Sequence, residues 1–292
     1  MNTAPNERLA TVCALAAVLA WSTVATGFKL GLQVLKPLQL LWLGALISLL
    51  FFAVALVATG RWRAFAALGA RDWRMLAGLG LLNPFLYYVI LFEAYDRLPA
   101  QIAQPLNYTW AITLAILAVP LLKQPLTRRT LAGIVVSYAG VVVLLAQGGL
   151  DGFARVDGFG VFLALASTVV WASYWLATVR VKIDGLALMT GSFAIGAPAV
   201  GLACAWIEGL PTLNTQTLGY GAWVGLVEMG VTFVLWQTAM RRTAQAGRIA
   251  QLIFLSPFLS LVLIDRVLGE AVSASSVTGL ALIVAGLLVA RR

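Results

Sequence analysis

The sequence contains no histidine, only two cysteines and few charged residues. Without histidine the chain lacks the commonest metal ligand and the usual general base at neutral pH. Cys13 and Cys204 lie far apart in apolar surroundings, so neither a disulfide framework nor a paired-thiol site is available. Charged residues are 11% of the chain, against about 25% in soluble domains. These absences argue against a soluble enzyme, a zinc protein and a secreted disulfide module.

Long apolar runs dominate what is present, with 61% apolar residues and a mean hydropathy of +0.94. Most charge-free runs have the length that a helix needs to cross about 30 Å of hydrocarbon. The runs are 9–28, 37–60, 75–92, 98–122, 130–150, 158–179, 185–207, 209–227, 229–240, 249–264 and 271–290. Only Glu228 separates two of them, which predicts one helix over about 218–240. We therefore expect an all-α integral membrane protein with ten transmembrane helices, surrounded by the lipid bilayer.

The basic residues predict the orientation of these helices. With the N-terminus inside, the segments on the inner side carry 15 of the 20 basic residues. The positive-inside rule then predicts that both termini of this multi-pass protein are cytoplasmic. The net charge of +9 is explained by orientation, so no nucleic-acid partner is expected.

Two halves of the sequence share a pattern at a nearly constant offset. The matched positions are Leu15–Trp21 with Leu165–Trp171, Asn83 with Glu228, Ile102–Gln104 with Ile249–Gln251, and Gly133 and Gly140 with Gly279 and Gly286. The pattern predicts two repeats of five helices, 1–150 and 151–292. An odd number of spans inverts the second repeat relative to the first. Inverted repeats are typical of secondary transporters, with the substrate site near the midplane.

The order and spacing of these motifs resemble the EamA-type branch of the drug/metabolite transporter superfamily. The residues that carry the resemblance are Leu15–Ser22, Ser256–Phe258, Leu268–Glu270 and Gly279–Gly286. More narrowly, the helices rich in Trp and Tyr are similar to the aromatic amino acid exporters of bacterial inner membranes, which implies that location for this protein. The first repeat departs from the family pattern, because Trp110 replaces Pro257 and Lys123-Gln124 replaces Gly269-Glu270.

Deep aromatic and polar residues form the predicted substrate site. An aromatic group in the substrate could stack on them, and Asn or Gln has no place facing lipid. The predicted central cavity comprises Trp21, Asn83, Tyr87, Tyr88, Gln104, Asn107, Tyr108, Trp110, Trp171, Trp175 and Gln251. Each of these residues could instead serve helix packing.

One ionisable residue lies in the middle of a predicted span. Glu228 could bind a substrate amine or carry a proton, or it could be a hydrogen-bonded packing residue. Prolines within spans permit kinks, and each is either a hinge or a static bend. These prolines are Pro84, Pro105, Pro198 and Pro257.

The resemblance implies that this protein is an exporter of amino acids, aromatic and other neutral ones, and of related small metabolites by alternating access. The alternative within transport is a multidrug or other metabolite exporter of the same superfamily. A membrane-embedded enzyme would need a cluster of catalytic groups, and a channel subunit would need rings of pore-lining groups. We expect a monomer that is not an enzyme and has neither cofactor nor metal.

Overall fold

The computed structural model describes residues 6–122, 127–147, 149, 151–178, 181–244, 249 and 252–291. Within these ranges every regular element is helical, and eight helices are long and apolar enough to cross a bilayer. They are α1 (Glu7–Leu32), α2 (Pro37–Ala58), α3 (Ala70–Arg97), α4 (Ala100–Leu121), α5 (Arg128–Ala146), α6 (Gly158–Thr178), α7 (Gly185–Ile207) and α8 (Thr215–Met240). Two further apolar helices follow, α9 (Leu255–Leu263) and α10 (Ala274–Arg291). The prediction of an all-α membrane protein with many spans is thereby confirmed.

Several of these helices are interrupted near their middle. α3 widens into a π-helical turn over Leu81–Leu86, where Asn83 adopts an extended backbone (φ −146°, ψ 117°). α8 widens in the same way over Trp223–Val231, and this turn contains Glu228. Such wide turns free backbone groups from the regular ladder and are frequent at functional sites. The two residues that the repeat pattern pairs, Asn83 and Glu228, thus both lie in widened turns.

Carboxylates satisfy backbone N–H groups at helix starts. Asp157 accepts hydrogen bonds from the N–H groups of Phe159 (2.9 Å) and Gly160 (3.3 Å) at the start of α6. The Gly160 bond is the main reason that the pKa of Asp157 is lowered. Glu208, just after α7, accepts from the N–H groups of Leu38 (3.0 Å) and Gln39 (3.3 Å) in α2. Burial nevertheless raises the pKa of Glu208.

Glycines let α5 and α10 pack backbone against backbone. A Cβ atom on Gly140 would lie 2.6 Å from the carbonyl oxygen of Gly279, and one on Gly279 would lie 2.7 Å from that of Gly140. Gly133 and Gly286 face each other in the same way. Ser137 donates a hydrogen bond of 3.0 Å to the Ile283 carbonyl across the contact. Small residues at this spacing are the usual means of close helix association in membranes.

Two groups of helices pack around the main core, one formed by α1, α8 and α9 and the other by α3, α4 and α6. α1 packs on α8 and α9, while α6 packs on α3 and α4, and α2 packs on α7. At one end of the helices, the Thr243 hydroxyl donates a hydrogen bond of 2.8 Å to the Glu7 carboxylate. We call the side that holds these two residues the N-terminal face. The other side, which holds Lys29 and the turn between α3 and α4, is the opposite face.

The α5–α10 contact yields a stability prediction. The substitution Gly140→Ala should destabilise the protein by about 1–3 kcal/mol, because the added methyl group forces the helices apart. Gly78→Ala in α3 is the matched control, since a Cβ there would point into open space. Thermal unfolding in detergent, followed by tryptophan fluorescence, measures both variants. Equal melting temperatures for the two would show that the contact is not tight.

Candidate substrate site

A carboxylate joins the two helix groups near the centre of the fold. The Tyr88 hydroxyl of α3 donates a hydrogen bond of 2.9 Å to Oε1 of Glu228 in α8. The side chain of Trp21 in α1 also lies close to this carboxylate. None of the ion pairs among the described residues involves Glu228. Among these residues, the carboxylate is therefore hydrogen-bonded by the neutral hydroxyl of Tyr88 and not by a basic side chain.

Tyr88 and Trp21 are also connected to each other through a series of aromatic ring contacts. Tyr88 contacts Tyr87 (4.7 Å between ring centroids), and Tyr87 stacks on Trp171 of α6 (4.4 Å, 24°). Trp171 meets Phe233 of α8 edge-on at 6.2 Å, and Phe233 meets Trp21 edge-on at 6.0 Å. We call these five rings with Glu228 the aromatic circuit, because its contacts close on themselves. Stacked and edge-on pairs are the favoured aromatic geometries.

Polar side chains continue from the aromatic circuit into α4 and α6. The Tyr87 hydroxyl donates to Oδ1 of Asn107 at 3.4 Å. The Asn107 amide then donates to the Ser167 hydroxyl at 3.1 Å, and Ser167 donates to the Ala164 carbonyl at 2.7 Å. The chain of bonds fixes how Asn107 is oriented beside Tyr87. It therefore links α3, α4 and α6 through side-chain hydrogen bonds between membrane helices.

The structure brings five predicted site residues into this region directly. They are Trp21, Tyr87, Tyr88, Trp171 and Asn107, together with the predicted amine or proton site Glu228. Trp175 lies beside them at 5.7 Å from Trp171. Asn83, Gln104, Tyr108 and Trp110 are not part of this set of contacts.

Three of the predicted site residues each have a buried polar atom with no hydrogen-bond partner among the described residues. The atoms are Oδ1 of Asn83, Oε1 of Gln104 and Nε1 of Trp175. Buried polar atoms usually find a partner, so these atoms are candidates for contact with a substrate or water. Tyr108 lies near Ser256 of α9, and Trp110 packs against the main core. Gln251 lies outside the described residues.

The four predicted hinges differ in their surroundings. Pro84 follows Asn83 inside the widened turn of α3, and Pro105 is buried within α4 before the break at Thr109. Pro257 is buried in the first turn of α9, after a 3₁₀ turn over Leu252–Phe254. Pro198 is exposed within α7, which continues without a break. Movement at these prolines stays a prediction.

The sequence-based site omitted Phe233 and Ser167. Phe233 is the counterpart of Tyr88 at the offset of 145 that pairs Asn83 with Glu228, so the repeat contained a signal for it. Ser167 has no such signal, since a serine in an apolar span usually bonds its own helix. Among the described residues no group of His, Cys, Asp and Glu side chains could hold a metal ion.

Comparison with known proteins identifies the family. The model of the EamA-like transporter family matches residues 8–146 and again residues 158–292. The chain belongs to the EamA-like transporter family. It is a multi-pass membrane transporter, and the resemblance stated from its sequence is confirmed.

Named relatives cover nearly all of this transporter. The aromatic amino acid exporter YddG of Ancylobacter novellus is 28% identical over 291 residues, covering 96% of each chain. A probable amino-acid metabolite efflux pump of Escherichia coli is 26% identical, covering 94% of this chain and 92% of the pump. This chain also matches a crystal structure with a TM-score of 0.68 and 24% sequence identity. The match covers 98% of this chain and 97% of the chain in that structure. That likeness supports the fold.

A double-mutant cycle tests the link between α3 and α8. Tyr88→Phe and Glu228→Gln, alone and together, should reveal a coupling free energy between about 0.6 and about 1.7 kcal/mol, the average and the maximum for hydrogen bonds between membrane helices. Unfolding in mixed micelles measures the four free energies. Tyr138→Phe replaces an exposed tyrosine and should combine additively with Glu228→Gln. Additivity at Tyr88 as well would contradict the bond.

Proposed function

We propose that this transporter exports amino acids, aromatic and other neutral ones, and related small metabolites by alternating access. Its transport path would run between two inverted repeats, 1–150 and 151–292, which together provide ten spans. The aromatic circuit around Glu228 carries this proposal. A carboxylate suits the substrate amine, and the rings suit an apolar or aromatic side chain.

Packing supports the inverted repeats. The contact of α1 with α8 has its counterpart in the contact of α6 with α3, and α1 with α9 corresponds to α6 with α4. Counterpart helices also pack on each other, α2 on α7 and α5 on α10. In the last pair, Gly133 meets Gly286 and Gly140 meets Gly279. Reciprocal contacts of this kind are what a two-fold relation produces.

The direction of transport rests on the orientation and on the relatives. We take the N-terminal face as cytoplasmic and the opposite face as external, in a bacterial inner membrane, because the basic residues favour that side. Relatives named as exporters of amino acids support efflux. The substrate carboxylate would be bound by exposed backbone N–H groups, as at the broken helices of other transporters.

A second candidate within transport is export of amphipathic drugs. The closed circuit of five rings around one carboxylate also suits organic cations, which bind over aromatic faces. A proteoliposome panel of radiolabelled amino acids and drug cations separates the two. Flux of amino acids alone supports the main proposal, flux of cations alone favours the drug exporter, and no flux of either contradicts transport of both classes.

Trp171 should discriminate between substrates. Trp171→Ala removes the ring that joins Tyr87 to Phe233, and we expect tryptophan flux to fall about fivefold more than alanine flux, which matches the loss of one aromatic contact. Trp206→Ala is the control, because Trp206 is 92% exposed. Equal losses for tryptophan and alanine would assign Trp171 to packing alone.

Glu228 should carry any coupling to protons. In sealed vesicles with an imposed pH gradient, Glu228→Gln should abolish the dependence of flux on that gradient, since the amide cannot exchange a proton. Glu93→Gln, a change at a carboxylate paired with Arg97, is the matched control. Undiminished dependence in the Glu228 variant would exclude this role.

A further inference from the structure

The turn between α3 and α4 on the opposite face is held by a lysine of α1. Nζ of Lys29 donates hydrogen bonds to the carbonyl oxygens of Tyr95 (2.9 Å) and Leu98 (3.1 Å), at the carboxyl end of α3. A helix exposes unpaired carbonyls and a partial negative charge at this end. The ammonium group therefore matches the charge of the helix end that it binds.

A glutamate from the other side of the same turn binds the start of α4. Oε1 of Glu270 accepts a hydrogen bond of 3.4 Å from the backbone N–H of Ala100. The amide of Gln101, the next residue, donates to the Ala271 carbonyl at 3.0 Å. An anion is favourable at a helix start, where the partial charge is positive. Lys29 and Glu270 thus hold the two helix ends of one turn, each with the matching sign.

Aromatic rings close the space beneath this turn. Phe28 meets Phe92 edge-on at 4.4 Å and Tyr95 edge-on at 5.4 Å. Both Phe28 and Phe92 are buried. The end of α1 is thus packed against the end of α3 next to the two charged contacts.

The counterpart positions in the other repeat carry different residues. Gln237 stands where the first repeat has Phe92, and Lys123-Gln124 stands where the second repeat has Gly269-Glu270. Among the described residues, no hydrogen bond, ion pair or ring contact joins α6 beyond Trp171 to α8 beyond Phe233. The two faces therefore differ in sequence at these positions, and in the contacts of the part of α6 and α8 that the structure describes.

We propose that Lys29 and Glu270 form a charge clamp that keeps the opposite face closed in the resting transporter. The inference rests on the proposed transport by alternating access. To open outward, α1 and α9 must move away from the turn between α3 and α4. The side chains of Lys29 and Glu270 then lose their hydrogen bonds to the helix ends and are hydrated instead. The clamp therefore favours the state that accepts cargo from the cytoplasm. The free energy of substrate binding at the aromatic circuit must offset the free energy lost when these hydrogen bonds break.

Two cysteine reporters test the clamp in membrane vesicles. The background carries Cys13→Ala and Cys204→Ala, which remove the native thiols. Ala25→Cys places a thiol one turn from Phe28 and Lys29 on the same helix side, where the closed state buries it. Gln237→Cys places a thiol at the counterpart of Phe92 on the N-terminal face. A membrane-impermeant maleimide, added from one side at a time, measures the labelling rate of each.

Lys29→Met should raise external labelling of the Ala25→Cys reporter about tenfold, equal to about 1.4 kcal/mol. Glu270→Gln should raise it in the same direction, and Lys29→Arg should keep the slow rate. Arg266→Met is the matched control. It removes a basic side chain on the same face, and that side chain pairs with its neighbour Asp265 instead of a helix end. In the double variant Lys29→Met/Glu270→Gln, cytoplasmic labelling of the Gln237→Cys reporter should fall.

Unchanged labelling at position 25 in both single variants would overturn the clamp. Faster labelling of both reporters in the double variant would also overturn it, because that pattern indicates general loosening. If Lys29→Met is not recovered from membranes, Glu270→Gln carries the same test. The labelling needs no substrate, so a protein without flux can still show the clamp. Conversely, flux with unchanged labelling refutes the clamp and leaves the proposed transport intact.

Discussion

The bilayer interior offers no hydrogen bonds, and this constraint determines where polar groups can lie in the fold. Ser48 shows the usual solution, because its hydroxyl lies within 2.8 Å of two carbonyls, those of Gly44 in its own helix and Gly225 in α8. Thr113 and Thr168 pair across α4 and α6 at 2.9 Å. Polar side chains therefore mark helix contacts, and they connect the helices that surround the centre of the protein.

Glu228 is an exception to this solution, since a charge is far costlier to bury than a hydroxyl. Its helix widens at this position, its hydrogen-bond partner Tyr88 comes from α3, and Trp21 of α1 lies close to it. A carboxylate shared between two helix groups is sensitive to their relative position. Small shifts of α3 against α8 change the distance to Tyr88, which couples the state of the site to the arrangement of the helices.

Composition and helix length were enough to predict an all-helical membrane protein, and the order and spacing of the repeated motifs indicated its family by resemblance. Phe233 could have been added to the site from the repeat, since it is the counterpart of Tyr88. Lys29 could not, because its partners are backbone carbonyls that no side-chain pattern reveals. The breaks in α3 and α8 were equally hidden, although Pro84 pointed to the first. Apolar sequence specifies where a helix lies far better than which residues from distant helices meet.

The glycine contact between α5 and α10 has a consequence for biosynthesis. During translation α5 enters the membrane long before its partner, so the side that carries Gly133 and Gly140 meets lipid until α10 arrives. Acyl chains fill such a groove less well than a second backbone does. A chain halted before α10 would present a vacant helix-binding surface, which other membrane helices or quality-control proteases could recognise. Completion of this fold thus depends on a helix made late in synthesis.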